Sequence, residues 1–213
     1  DRVGDKDAVM KYAQYALKDK ENGQFAMQLL TDAYKAKGDT AKWVEKLQEG
    51  IVKFPENQYF FANLVDYYSS SNQNDKAMQF ANDMLAKDPN NKLYLYVKAY
   101  LYHNMKDYEK AIEFYKKTLD VDPTYAEACS NLGLVYLLQA QDYADKAPTD
   151  INDPNYATAQ ANIKKFYEEA KPYYEKAREL KPDQKDLWLQ GLYRVYYNLN
   201  MGPEFEAIEK LMN

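Results

Sequence analysis

One cysteine, one histidine and seven glycines in 213 residues leave little material for the commoner chemistries. The lone Cys129 excludes a disulfide within the chain and leaves the compartment undecided. So few glycines, scattered singly, exclude a glycine-rich phosphate loop. No apolar run approaches the roughly 20 residues of a membrane span, so no membrane span is expected. Basic excess is missing too: the net charge is -5 and the lysines are interspersed with acids. The electrostatic footprint of a nucleic-acid binder is absent, and no nucleic-acid partner is expected.

What the sequence does have is tyrosine, 22 of them, and a period. Tyr34, Tyr68, Tyr102 and Tyr136 recur every 34 residues, and Pro55, Pro89 and Pro123 recur at the same interval out of phase. A fixed period of this length marks a stacked array, in which each helical pair buries its apolar face only against its neighbours. Six, nine, ten and thirteen residues after Pro123 stand Cys129, Leu132, Gly133 and Tyr136, one stripe of a helix with a small residue at closest approach. The same offsets give Phe61, Leu64, Val65 and Tyr68 after Pro55, and Leu95, Lys98, Ala99 and Tyr102 after Pro89. Twelve, eight and five residues before Pro123 stand Ala111, Tyr115 and Thr118, and before Pro182 Ala170, Tyr174 and Ala177. These form a second amphipathic helix, which the proline ends because it lacks an amide hydrogen and disfavours helix in the residue before it.

Those offsets, most clearly in DYEKAIEFYKKTLDVDPTYAEACSNLGLVYLLQA and AKPYYEKARELKPDQKDLWLQGLY, resemble the tetratricopeptide repeat over nearly the whole chain. The resemblance implies an all-α fold, a right-handed superhelical α-solenoid of antiparallel helix pairs. One array is expected over 1–213, with an orphan second helix of a truncated repeat at 1–23 and an N-terminal part of the protein missing. Units are expected at about 24–57, 58–91, 92–125, 126–184 and 185–213. The first has Trp43 in place of alanine and the last has Val195 in place of tyrosine. From Pro123 to Pro182 is 59 residues, one period plus an insertion of 25 placed near 140–168. Asp153 before Pro154 reads as an N-cap followed by proline at the first helical position, and Pro172 is expected to bend the helix that follows.

Candidate chemistry is sparse. Cys129 sits on a core stripe, where a thiol is inert packing, so it forms no nucleophile pair with His103. Paired carboxylates are expected by chance among 33 acids and carry no weight. Asp150, Asn152, Asp153 and Asn155 crowd together, but an EF-hand-like loop needs glycine at its sixth position and glutamate at its twelfth, where Asn155 and Ala161 stand. Turn formation explains them better. No enzyme, catalytic residue, cofactor or metal is expected.

What remains is surface. The resemblance implies that first helices line a concave groove, so residues opposite the core stripe point into it. Offsets from the prolines place Tyr59, Asn63 and Asp66, then Tyr96, Tyr100 and His103, then Asn131 and Leu134, then Tyr193 and Tyr196 on that face. Tyrosine, apolar in body and polar at its tip, serves well as an interface anchor. The expected function is a non-catalytic scaffold for protein–protein interaction, holding a protein or peptide segment in a tyrosine-rich groove. Two alternatives stand beside it: an accessory or assembly module of a larger protein whose missing part carries the activity, and a glycan-binding surface. The resemblance also raises the chaperone-type carboxylate clamp. Asn63 and Asn131 suit it, but Ala62, Asp66, Leu93 and Val97 stand where basic or amide partners are needed, so no such clamp is expected. The residues leave localisation open. The KDLWLQGLYRVYYNLNMG ending resembles bacterial, sometimes exported, members of the family, and the periplasm is the compartment it suggests.

Overall fold

The computed structural model describes residues 6–18 and 22–212. Helices α1 (Lys6–Ala16), α2 (Gly23–Lys37), α3 (Thr40–Lys53), α4 (Gln58–Ser70) and α5 (Asn74–Lys87) come first. They are followed by α6 (Lys92–Asn104), α7 (Tyr108–Val121), α8 (Ala126–Ala144), α9 (Tyr156–Leu180), α10 (Leu189–Asn198) and α11 (Gly202–Glu209). Among the described residues there is no strand. The chain divides into two compact units, 1–80 and 81–213. Part of the expected orphan helix, residues 1–5 and 19–21, lies outside the described residues; α1 packs on α2.

Both ends of the helices follow from the sequence. Asp39, Asn57, Asn91 and Asp107 each precede a helix, and each side chain accepts from a backbone N–H of the first turn, satisfying donors that the helix cannot. The periodic prolines stand two residues past the last helical residue of α3, α5, α7 and α9. The shorter turns have their own repeat. Gly38, Asn72 and Lys106 adopt left-handed φ of 73°, 57° and 60°, each four residues after a periodic tyrosine. The next N–H then reaches back to that tyrosine's carbonyl: Asp39 to Tyr34 at 3.1 Å, Gln73 to Tyr68 at 2.7 Å and Asp107 to Tyr102 at 2.9 Å.

The same turn recurs in the last pair one residue out of step. Asn200 has a φ of 55°, and the Met201 N–H donates to the Tyr196 carbonyl at 2.9 Å. Tyr196, not Val195, therefore occupies the periodic tyrosine position. A single 3-10 turn, Lys185–Leu187, intervenes between Pro182 and α10 and displaces the register.

In the long unit α8 runs straight through the place where α4 and α6 stop. It has 19 residues against their 13, and α9 has 25 against the 14 of α7. Most of the surplus is thus spent on lengthening one helical hairpin, and the rest on the 145–155 loop. Helix α9 begins at Tyr156, not at Pro154. The Asp153 carboxylate accepts from the Asn155 N–H at 2.7 Å, shaping the turn before the helix without capping it. The helix continues through Pro172, whose ring faces solvent, so the one lost ladder bond lies where water can replace it.

Within the first unit Met27, Leu30, Leu47, Phe60, Phe61 and Leu64 form a dry interior. In the second, the core joins Ala99, Ala111, Tyr115, Leu132, Val135, Tyr136, Tyr174, Leu192 and Val195. Gly133 lies where α9 crosses α8: a Cβ there would stand 2.7 Å from Cε2 of Tyr174.

Candidate binding face

The expected groove residues of the first unit lie on α4. The Tyr59 hydroxyl donates to the Asp32 carboxylate, and burial together with that charge pushes its pKa up. Asn63 donates to the Tyr59 carbonyl at 2.9 Å and accepts from Lys35 Nζ at 3.4 Å, while Asp66 stands exposed.

In the second unit α6 and α8 pack side by side and bring four of the expected residues together. Asn131 Nδ2 donates to the Tyr96 hydroxyl at 2.8 Å, tying the helices to each other. The Tyr96 ring leans on Tyr125 at 5.0 Å and on Tyr115 at 5.8 Å. Tyr100 and His103 meet edge to face at 6.3 Å. His103 Nδ1 is out of water with no hydrogen-bond partner, and burial lowers the imidazole pKa, so the ring is neutral. Leu134, half-buried, lies one turn along α8 from Asn131. Beneath the cluster the Tyr115 hydroxyl is wholly buried and makes no hydrogen bond of good geometry, with Asn131 and Tyr100 near it. Burial raises its pKa. Leu93 and Val97, expected on the open face, are buried.

Tyr193 and Tyr196 do not join this face. Tyr196 is only 4% exposed, and its hydroxyl donates to Glu175 at 3.0 Å. Tyr193 packs on Phe205 of α11 at 4.9 Å. The 3-10 turn is the cause: a one-residue slip turns a helix by about 100°, so offsets counted from Pro182 name the wrong side. Tyr197, 64% exposed, is the tyrosine that projects. A different signal would have found the correct register, a leucine four residues before every periodic tyrosine but Tyr102: Leu30, Leu64, Leu132 and Leu192, all fully buried.

Catalytic chemistry gains nothing from the geometry. The Cys129 thiol is buried among core residues, and burial pushes its pKa up to about 11. Of the insertion's acidic cluster, Asp150 accepts from the Asn152 backbone at 2.9 Å as Asp153 does from Asn155, the turn role expected of both. No helix among the described residues is long and apolar enough to cross a membrane.

An all-α protein of paired helices, with a period of 34 written in its turns, belongs to the helical repeat class. Residues 99–139 match the family described as TPR repeat, and residues 163–184 that described as tetratricopeptide repeat. The chain is a tetratricopeptide repeat protein. No curated protein sequence matches it. Among solved structures it is similar in fold to the MamA protein, at 16% identity over 89% of this chain and 90% of that one, with a TM-score of 0.54. It is also similar to PilW, described as a widely conserved type IV pilus biogenesis factor, at 15% identity over 99% and 86%, with a TM-score of 0.59. A third likeness is to the human IFIT1 dimer with m7Gppp-AAAA, at 19% identity and a TM-score of 0.65. It takes in 97% of this chain and 46% of that one, so this chain spans less than half the length of IFIT1.

Proposed function

We infer that the protein is a non-catalytic scaffold for protein–protein interaction, and that the α6–α8 face holds a protein or peptide segment. The observation that carries this is the cluster of Tyr96, Tyr100, His103 and Asn131 over the Tyr115 hydroxyl. It offers half-buried aromatic bodies beside the Asn131–Tyr96 hydrogen bond, while the two polar atoms without partners, His103 Nδ1 and the Tyr115 hydroxyl, lie out of water beneath them. An amide-bearing chain laid on this face meets apolar contact and hydrogen-bond capacity together. The Asn131 and Asn63 amides are already engaged, which argues against a terminal-carboxylate clamp. The likeness to IFIT1, whose structure contains a capped oligonucleotide, leaves RNA open to a fold of this kind. The net charge of -5 favours protein for this chain.

A second reading, an assembly module of a larger protein, is favoured by the fold shared with the pilus biogenesis factor PilW over 99% of this chain. One experiment addresses the binding face. Peptides selected from a random display library on the wild-type protein are titrated against wild type and Tyr100→Ala, with circular dichroism as the folding control. A loss of at least tenfold in affinity with helicity intact is expected; unchanged affinity removes α6–α8 from the function.

A further inference from the structure

The leucine that precedes each periodic tyrosine by four residues is missing once. Leu30, Leu64, Leu132 and Leu192 are buried at that position, and in the unit of Tyr102 the residue is Lys98. A lysine in a leucine's place forgoes apolar burial and partly desolvates an ammonium, a cost that the sister units do not carry. Among the described residues no carboxylate closes on it. Its Nζ lies instead over the Phe114 ring, 4.5 Å from the centroid, and Lys117 Nζ lies 4.6 Å from the same centroid. Lys117 is already paired with Glu113 at 2.6 Å, so Lys98 feels that carboxylate only at a distance and has no ion pair of its own. Burial and the neighbouring Lys117 charge lower its pKa.

Beside Lys98 lies a cavity of about 470 Å³. Leu85, Pro89, Leu95, Phe114 and Val121 give it apolar walls, and Lys98, Lys117 and Asp120 bring its charges. This volume falls in the range of small-molecule sites. With Lys117 paired to Glu113, the one ammonium of the cavity without an ion pair matches one negative charge, and the Asp120 carboxylate disfavours a dianion such as phosphate. We propose that this cavity is a binding site for a small monocarboxylate with an apolar body, its carboxylate on Lys98 and its hydrocarbon against Phe114 and Leu95. The site lies between α5, α6 and α7 and uses none of the residues of the α6–α8 binding face.

The test uses octanoate, with octan-1-ol as the apolar body without charge and acetate as the charge without the body. The whole protein with ¹³C-methylated lysines is titrated by NMR, the Lys98 signal being assigned by its loss in Lys98→Leu. Octanoate is expected to shift that signal saturably, to raise the Lys98 pKa, and to bind at least tenfold more tightly than either control. Lys98→Leu restores the residue of the sister units, so it is expected to keep the fold and raise the melting temperature while weakening octanoate binding at least tenfold. Octanol or acetate binding as well as octanoate, an unmoved Lys98 signal, or undiminished binding by Lys98→Leu would each overturn the proposal. The peptide titration with Tyr100→Ala is unaffected by any of these outcomes, so the two readings fail separately.

Discussion

The ring of Tyr174 fills the space that Gly191 leaves open. A Cβ on Gly191 would overlap Cε1 of that ring, while Gly133 faces its opposite edge. One aromatic side chain of α9 is thus held between the backbones of α8 and α10, and those helices can approach only because both positions lack a side chain.

Gly191→Ala is expected to lower the denaturation midpoint, although alanine gains about 1 kcal/mol over glycine in helix propensity. Overpacking of this kind costs about 1–3 kcal/mol, and the struck atoms belong to a buried ring. Thermal melts of a double-mutant cycle check this: in a Tyr174→Leu background the same alanine should be neutral or stabilising. A Gly191→Ala protein as stable as wild type would show that the crossing tolerates more separation than the structure implies.

Tyr115→Phe removes a buried hydroxyl that makes no good hydrogen bond. Deleting a satisfied hydroxyl typically costs about 1 kcal/mol, whereas deleting an unsatisfied one relieves its desolvation. Unchanged or higher stability in urea is therefore expected. A clear loss would mean that Asn131 turns to serve Tyr115.

Asp122 gives a pH signature at the entrance to α8. Its carboxylate accepts from Lys92 Nζ at 2.8 Å, and from the Thr124 hydroxyl and N–H at 2.6 and 2.9 Å. These contacts, the lysine first, lower its pKa from 3.8 to about 2. Because the folded value lies below the ordinary one, the stabilisation is present above pH 3.8 and is lost as the pH falls towards 2. The gap in urea midpoint between wild type and Asp122→Ala should accordingly narrow between pH 5 and pH 2.5. A gap independent of pH would locate the effect in packing alone.

How much of this was legible in the sequence depends on which part is asked about. The helices and their ends were, because proline, capping residues and periodic tyrosine act locally. The α6 surface was less so: periodicity gives the angle at which Leu93 and Val97 leave the helix but not which neighbours cover them. The last pair misled because Pro182 lost its fixed distance to α10 through a three-residue 3-10 turn that no composition signal marks. Lys98 was in plain view on a core stripe. Its meaning depends on the cavity beside it and on its lack of an ion pair of its own, neither of which periodicity shows.

His103 provides a second pH signature, a clean one because the chain has no other histidine. Burial depresses its folded pKa below 6.5, so the unfolded chain takes up a proton first as the pH falls. Stability is full above 6.5 and declines as the pH drops through that value towards the folded pKa. His103→Gln should remove that decline between pH 7 and pH 5.5 in guanidinium titrations. A decline of the same size in the variant would assign it to other groups.

The long α8–α9 hairpin also has a kinetic consequence. In a linear array each pair touches only its neighbours, and folding begins in the pair that needs them least. Helices of 19 and 25 residues bury against each other surface that shorter pairs obtain only from the next pair along. They do so across a loop short enough to close at small entropic cost. The insertion is therefore expected to favour nucleation inside the second unit. On heating, the terminal helices should fray first and this hairpin should melt last, which gives the array a direction of assembly that its even period does not supply.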